Sequence, residues 1–568
     1  MPKTDYSSWS KEDLIKKITA LEKRKKYGLV WDTEREPEKI VQDCQRELPV
    51  LKEIKRNQIS TNKDGVTHIL IEGDNYHALS VLNYTHEKAI DFIYIDPPYN
   101  TGATDWKYNN KYVDASDPYR HSKWLSLLSH RLMLAKNILK DTGIICVTID
   151  DNELPRVWCL LEDIFKEQNH LGTLVIRNNP KGRKTERKIS LIHEYALFFG
   201  RTSAAKIQKM DIAPEEKTHN YVKDKDGTWY LPTNLRKQGV DSLAVNKAGK
   251  VSDRYYPIYY DPKTGKVSTK VKLPIKILPI DKDGAKRIWR RSKDVIDEMY
   301  RAGDLWYHKT RYGDQIYFKF RGGLDGEPPE SIWYEAKYSA SEYGTQILDS
   351  IMGSREMFQY PKSPFAVMDC IKIATNTKNA VILDFFAGSG TTGQAVLELN
   401  KEDDGKRQFI LCTNDENNIC TEICYPRIQR VMQGYKNMDG ETVEGLDGNL
   451  KYYKTGFVPA APTDKNKELL TKQSVEMLTL KEGTFEKVTE NDSFAIYRNP
   501  DKYTGIIFDQ LSFGQFKKAV ANVNIPISLY IFSLVDDDFS DDFADMGGLI
   551  KICAIPESIL RVYRRIFR

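Results

Sequence analysis

Asp96, Pro97, Pro98 and Tyr99 stand together directly after the apolar run from Ala89 to Ile95. Two consecutive prolines fix two φ angles and remove two N–H donors. What is left is carbonyl oxygen and an ionised carboxylate, both of which only accept hydrogen bonds. An acceptor-only pocket suits an exocyclic amine, which donates two hydrogens. Accepting both localises the nitrogen lone pair and makes it nucleophilic. Tyr99 adds a flat face on which a base drawn out of a duplex can stack. A bare Asp-Pro-Pro reads as a rigid turn capping a strand, whereas the full four residues at a strand's end are more specific.

A second loop, Asp384-Phe385-Phe386-Ala387-Gly388-Ser389-Gly390, runs on through Thr391 and Thr392 to Gly393. Gly388, Gly390 and Gly393 satisfy G-x-G-x-x-G, a weak dinucleotide signal by itself. A phosphate-binding Walker loop is excluded, because Gln394 follows Gly393 where Lys is required. The glycines let backbone pack closely against a bulky ligand. Asp384 suits a cationic group, such as the amino-acid ammonium of S-adenosylmethionine. A tight strand-to-helix turn is the bland alternative.

The elements that must position these loops alternate. Strands are expected at 67–74, 89–95, 143–149, 174–177, 194–199, 381–386 and 408–413. Helices are expected at 75–83, 122–139, 155–165, 364–374 and 391–399, with another after Pro426 carrying Ile428 and Val431. Buried apolar strands alternating with helices predict a parallel, doubly wound sheet. Ser10 and Asp13 read as the start of a helix with Leu14, Ile15, Ile18 and Leu21 on one face. From 201 to about 330 helical periodicity fades, and Lys, Tyr, Trp, Pro and Gly become frequent. This predicts a β-rich insertion. The stretch from about 460 reads as a smaller mixed domain holding the acidic runs Asp536–Asp538 and Asp541–Asp542 and ending in an arginine-rich helix.

At 568 residues the chain has room for two to four domains of about 100–200 residues each. With 40% hydrophobic and 29% charged residues, it can bury a sizeable core. No apolar run reaches the length of a membrane span, and residues 1–26 lack the apolar centre of a secretory signal. A cytoplasmic protein away from membranes is therefore expected. The eight cysteines are scattered, with no CxxC pair, so free thiols and no metal are expected. Residues 171–330 hold 33 Lys and Arg against 20 Asp and Glu, while the whole chain nets only +5. A basic middle in an otherwise acidic chain fits a polyanion contacted by one segment; a solvated lysine-rich surface is the plain alternative. Arg287, Arg290, Arg291 and Lys293, around Trp289, are the candidate nucleic-acid contacts.

Together the two loops resemble the amino-methyltransferases of DNA restriction–modification systems, over roughly residues 67–200 and 340–435. The resemblance makes Asp96–Tyr99 catalytic and Asp384–Gly390 the loop that binds S-adenosylmethionine. The catalytic motif comes first and a large insertion follows, which is the order of the family's β class, where the insertion recognises the target. Glu72–Asn75, Asp96–Gly102 and His193-Glu194-Tyr195 look like the modification subunits of Type III restriction systems. Phe358–Ser363, with Lys362, resembles the segment completing the cofactor pocket. Asp74 is expected to approach the cofactor's adenosine or to cap the next helix. One of Asn414, Asp415 and Glu416 is expected to meet its ribose, with Glu416 the acidic choice.

The resemblance implies a Rossmann-like methyltransferase sheet with five segments. These are an N-terminal helical segment (1–60), a catalytic half (61–200), a target-recognition insertion (201–335), a cofactor half (336–455) and a C-terminal domain (456–568). It implies methylation of adenine N6 in duplex DNA, since N4-cytosine enzymes usually carry Ser where Asp96 stands. It also implies a homodimer and a helicase–nuclease restriction partner. N4-cytosine methylation remains the alternative chemistry. A recognition subunit that delivers such a partner remains the alternative role.

Overall fold

In the central strands alternate side chains are covered on opposite faces. Ile69, Ile71, Ile93, Ile95, Leu383, Ile410 and Cys412 share one core cluster. Their neighbours Leu70, Phe92, Tyr94, Ile382, Phe409 and Leu411 are equally buried outside it. A strand buried on both faces reads as a continuous apolar run, and this is why 90–95 and 408–413 were visible in the sequence. The computed structural model describes residues 10–16, 38–62, 65–100, 120–182, 189–210, 221–245, 249–310, 313–321, 326–355, 357–534 and 539–567. Thr101 and Gly102 of the catalytic motif, Ile18 and Leu21 of the first helix, and Asp536–Asp538 lie outside them.

The chain divides into two units, Met1–Gln208 with Glu330–Arg568, and Lys209–Pro329. The first is built on one sheet. Its strands are β1 Glu47–Glu53, β2 Ile59–Ser60, β3 Thr67–Glu72, β4 Ile90–Ile95, β5 Leu139–Ile149, β6 His170–Ile176, β7 Glu194–Gly200, β8 Ile332–Trp333, β9 Val381–Asp384, β10 Gln408–Thr413 and β11 Asn449–Pro459. The order is β1-β11-β3-β10-β9-β4-β5-β7-β6-β8, with β2 beside β11. Every neighbouring pair from β11 to β5 is parallel. The strands β1, β2 and β7 run antiparallel to their neighbours. The result is a mixed sheet of mostly parallel strands.

Six helices flank it: α1 Asn75–Thr85, α2 Arg120–Ile138, α3 Leu154–Phe165, α4 Pro364–Ala374, α5 Thr391–Asp403 and α6 Tyr425–Gln433. The helices α1, α2 and α3 pack in series, and α4 packs on α5. Gly393 keeps α5 close to the sheet. A Cβ there would lie 2.6 Å from Ile428 Cδ1 and 3.0 Å from Leu411 Cδ1. Among the described residues no helix is long and apolar enough to cross a membrane.

Three expectations need correction. The segment 1–60 is not simply helical, because it supplies β1 and β2 to the main sheet. A boundary at 456 falls inside β11, where Leu48 of β1 sits opposite Val458. The strand expected at 381–386 stops at Asp384, because the two phenylalanines already belong to the turn.

The C-terminal stretch carries its own five-stranded sheet, 486–490, 494–498, 503–507, 527–532 and 550–555 in sequential order. Helices Val475–Glu482 and Glu557–Ile566 pack on α1. Leu470, Met477, Ile559 and Tyr563 share the core of the main sheet.

The second unit has a three-stranded and a four-stranded sheet and the helix Lys293–Arg301. Its core gathers Leu235, Tyr256, Ile258, Ile316 and Phe318 around Trp289. The Trp289 indole N–H donates to the Tyr256 carbonyl at 2.7 Å.

Candidate active site

Residues 96 and 384 are far apart in sequence, yet β4 and β9 are adjacent parallel strands in register, Phe92 opposite Ile382 and Ile93 opposite Leu383. The two loops therefore leave one sheet edge side by side. The carboxyl ends of β3, β10, β9 and β4 bring Asp74, Asn414–Glu416, Asp384–Gly390 and Asp96–Tyr99 along a single rim. Ligands bind at such rims in parallel sheets, outside the ends of the strands.

Asp96 is partly exposed. Its Oδ1 accepts from the Thr148 hydroxyl of β5 at 2.7 Å and from Lys362 Nζ at 3.1 Å. Trp124 of α2 donates its indole N–H to the Pro98 carbonyl at 2.7 Å, which fixes the second proline. The Tyr99 hydroxyl donates to Glu194 Oε2 at 3.0 Å. Burial, with Asp96 and Glu194 adding to it, pushes the Tyr99 phenol well above its ordinary range, so it remains a donor.

Lys362 meets the Asp96–Tyr99 turn on the same rim. Its ammonium points to the catalytic motif, 2.5 Å from Glu194 Oε2, in hydrogen-bond contact with the Tyr99 hydroxyl and 4.8 Å from the Tyr99 ring centroid. Burial pulls its pKa down, but Asp96 and Glu194 outweigh that and hold it above the ordinary lysine value.

The glycine loop is tightly held. Gly388 has φ +50 and Gly390 φ +79. A Cβ on Gly390 would also meet Cys424 Sγ at 3.1 Å. Phe385 is core, 1% exposed, and offers the rim only its backbone. Its carbonyl accepts from Asn75 Nδ2 at 3.0 Å. Arg131 donates to Asn75 in turn and pairs with Glu38 at 2.8 Å. Phe386, Ala387 and Ser389 are buried in the turn, with the Ala387 N–H on the Cys412 carbonyl.

Arg427 of α6 is wholly buried and forms no ion pair among those of the described residues. Its guanidinium donates to the Ser389 carbonyl and hydroxyl, the Thr391 hydroxyl and Gln394 Oε1. Burial lowers its pKa to about 10.

Asp384 is buried as well. Its two oxygens accept from the Phe386 N–H at 2.9 Å and the Thr392 hydroxyl at 2.6 Å. No ion pair of the described residues includes it, and burial raises its pKa to about 7. Below about pH 4 both folded and unfolded forms carry the proton. Between there and pH 7 the unfolded chain binds fewer protons, so stability is lost as pH rises through that window, by a few kcal/mol at most. Asp384→Asn keeps both loop contacts, because its amide oxygen accepts from Phe386 and its NH2 donates to the Thr392 hydroxyl. Its melting temperature is expected to overtake that of the wild type as pH rises from about 5 to about 8. Parallel melting curves across that range would refute the burial account.

Asp74 takes its capping role. It is the N-cap of α1, accepting from the Tyr76 N–H at 2.7 Å, and pairs with Arg131 at 3.3 Å. Of the ribose candidates, Asp415 is committed to the Thr421 N–H and hydroxyl at 2.9 and 2.8 Å. Asn414 Oδ1 is buried without a partner, and Glu416 opens a short turn at the rim.

In the second unit, Arg287 is half-buried, unlike the other candidate contacts. Its guanidinium is tied to Asp281 at 2.7 Å and to the Gly239 carbonyl at 3.0 Å, which closes a turn. Arg290, Arg291 and Lys293 are exposed. Arg291 lies 5.5 Å from the Phe318 ring centroid and Lys293 5.4 Å from that of Tyr256.

The arrangement juxtaposes the Asp96 carboxylate and the Pro97–Tyr99 turn with a buried carboxylate that pairs with no cation, and an amide oxygen without a partner, among the described residues on one rim. A family model described as DNA methylase, of the N6/N4 type, matches residues 90–424. The type II methyltransferase M.KpnI of Klebsiella pneumoniae is 33% identical over 387 residues, covering 68% of this chain and 88% of that protein. The EcoPI Mod subunit of a Type III restriction–modification enzyme, from Escherichia phage P1, is 30% identical over 393 residues. That match covers 63% of this chain and 59% of the subunit. A crystal structure of an M1.HpyAVI–SAM complex aligns at 13% identity with a TM-score of 0.29, covering 63% of this chain and 98% of that one.

Proposed function

The chain belongs to the DNA methylase family of the N6/N4 type, and from that premise we propose that it methylates the N6 amine of adenine in duplex DNA, as the modification enzyme of a restriction–modification system. The observation that carries this is the acceptor set of Asp96, held by Thr148, beside the glycine loop of the adjacent strand.

S-adenosylmethionine, when bound, supplies an electrophilic methyl group. Asp384 suits its ammonium, since a cation restores the charge that burial suppresses. Glu416 or Asn414 suits its ribose, and Gly388–Gly390 the close approach of backbone. Asp74, engaged as a cap, contributes by holding α1. Asp96 and the Pro97 carbonyl accept the two amine hydrogens, and Tyr99 stacks on a base flipped from the duplex. The protein's main contribution is to position nucleophile and electrophile in line. The nitrogen loses its proton after it has become cationic.

The insertion expected at 201–335, whose compact part is Lys209–Pro329, is read as the target-recognition domain. Replacing Arg290, Arg291 and Lys293 together by Ser is expected to weaken binding to any DNA sequence. If all three meet phosphates, the slope of log affinity against log salt flattens by roughly 2 to 3. An unchanged slope in filter-binding titrations would remove them from the interface.

A homodimer and a helicase–nuclease partner extend the same reading. Cells expressing this chain alone are expected to carry N6-methyladenine at one sequence motif, read by sequencing of modified bases. N4-methylcytosine instead would favour the second chemistry that the family's name allows. No methylated amine in any context would overturn the proposal.

A further inference from the structure

Lys362 stands in the way of the reaction just described. Its ammonium donates to Asp96 Oδ1 at 3.1 Å, the acceptor the target amine needs. It also bonds the Tyr99 hydroxyl, so it sits at the hydroxyl edge of that ring, 4.8 Å from its centroid. Ammonium and amine are both donors, so they compete for one carboxylate.

The same ammonium has a second carboxylate, Glu194, at 2.5 Å. Glu194 begins β7, which runs antiparallel beside β5, so its side chain reaches the rim where β4 and β5 end. It is nearly inaccessible, 3% exposed, and held by Asn178 Nδ2 at 2.7 Å and the Tyr99 hydroxyl at 3.0 Å. Both of these are neutral donors. Without Lys362 its charge would lack a counter-ion, and a buried charge stripped of its partner is strongly unfavourable. Lys362 therefore stays with Glu194 whatever happens at Asp96, and needs to give up only the longer contact.

We propose that Glu194 is a positioning residue for methyl transfer: it draws the Lys362 ammonium off Asp96 when a target amine arrives, and so clears the acceptor. This rests on the reading of Asp96 as the amine acceptor. The acidic groups facing Lys362 are Asp96 at the end of β4, Glu194 at the start of β7 and Asp150 just past β5. The phenols of Tyr94 and Tyr99 behind them remain protonated, their pKa values raised by burial.

With Glu194→Gln, Asp96 becomes the better anionic partner for Lys362 and the block tightens. The initial rate of methyl transfer to unmethylated genomic DNA at neutral pH is expected to fall roughly ten- to hundredfold, the equivalent of one hydrogen bond to a charged group. That loss should lessen as pH rises toward the lysine range, where loss of the Lys362 proton begins to release Asp96. Wild-type protein should lack this rise. Glu194→Asp should retain most of the rate, and adding Lys362→Met to Glu194→Gln should raise the rate above that of Glu194→Gln alone. Affinity for S-adenosylhomocysteine, by calorimetry, should be the same in all of them. A Glu194→Gln variant with the wild-type rate and pH profile overturns the proposal. So does a pH-independent loss that Lys362→Met leaves unrelieved, which marks a merely structural residue. Wild-type protein that transfers no methyl group at all overturns instead the underlying reading of Asp96.

Discussion

Asp96→Ala is expected to abolish methyl transfer to DNA while the protein stays folded and binds S-adenosylmethionine. Asp96 is the one carboxylate at the end of β4, held by Thr148 and partly open to solvent. Its loss removes an acceptor aimed at the reacting amine. Removing a single preorganised group of this kind costs about 10²–10³ in rate, and more when it also orients the substrate. The structural penalty is small, because Lys362 keeps Glu194 as its counter-ion. Asp96→Asn should be nearly as inactive, since its amide NH2 points a donor at a donor. Transfer of labelled methyl to DNA, with calorimetry on S-adenosylhomocysteine as the control, checks both. An Ala variant retaining more than roughly a tenth of wild-type rate would remove Asp96 from the chemistry.

Arg427→Met is expected to weaken cofactor binding by about tenfold or more without touching the rim directly. The guanidinium is shared between Gln394 on one side and Ser389 and Thr391 on the other. It thereby fixes the turn in which Gly388 and Gly390 adopt positive φ. Met fills the space but leaves the Ser389 carbonyl and Gln394 Oε1 without donors, and each such orphan costs about 1–3 kcal/mol. The gain from no longer burying an unpaired charge offsets part of this, so the melting temperature moves less than the affinity. Arg427→Lys should fall between the two, because one ammonium cannot serve both sides of the fork. Calorimetry with S-adenosylhomocysteine gives the answer, and an affinity within about twofold of wild type for both variants would relegate Arg427 to packing.

The sequence exposed those parts of the site whose residue types are unusual where they stand. Two prolines after a buried strand, or glycines between a strand and a helix, can each be a plain turn, and it is the two together that point to a site. The parallel centre of the sheet was legible for the same reason, since strands covered on both faces are apolar throughout. What stayed hidden depends on distance in three dimensions. The resemblance places Lys362 in the cofactor pocket as part of the segment 358–363, but no local pattern shows that its charge faces Glu194 and Asp96 across the rim. Arg427 left a usable trace, a charge on the helix face that also carries Ile428 and Val431, but nothing in the chain said which loop it faced. Arg287 looked like its neighbours until its pairing with Asp281 was visible. The boundaries at 60 and 456 failed because β1 and β11 pair with each other, and no local pattern records a partner four hundred residues away.

That pairing bears on how the protein is made. The β3 strand has β11 on one side and β10 on the other, both much later in the chain. Its hydrogen bonds reach across 341 residues to Gln408 and 380 to Tyr452. When β3 emerges from the ribosome, none of its sheet neighbours has been synthesised. Local contacts, such as α1 on α2, can form early, but β3 has neither neighbour until β10 is added and lacks its second until residue 459 has been added. Ordering of this kind makes for slow folding and leaves apolar strands without cover in the meantime. A chain that stalls in translation before β10 is therefore expected to be a client of chaperones or proteases, because β10 is one of the four strands whose ends form the rim and it separates β3 from β9.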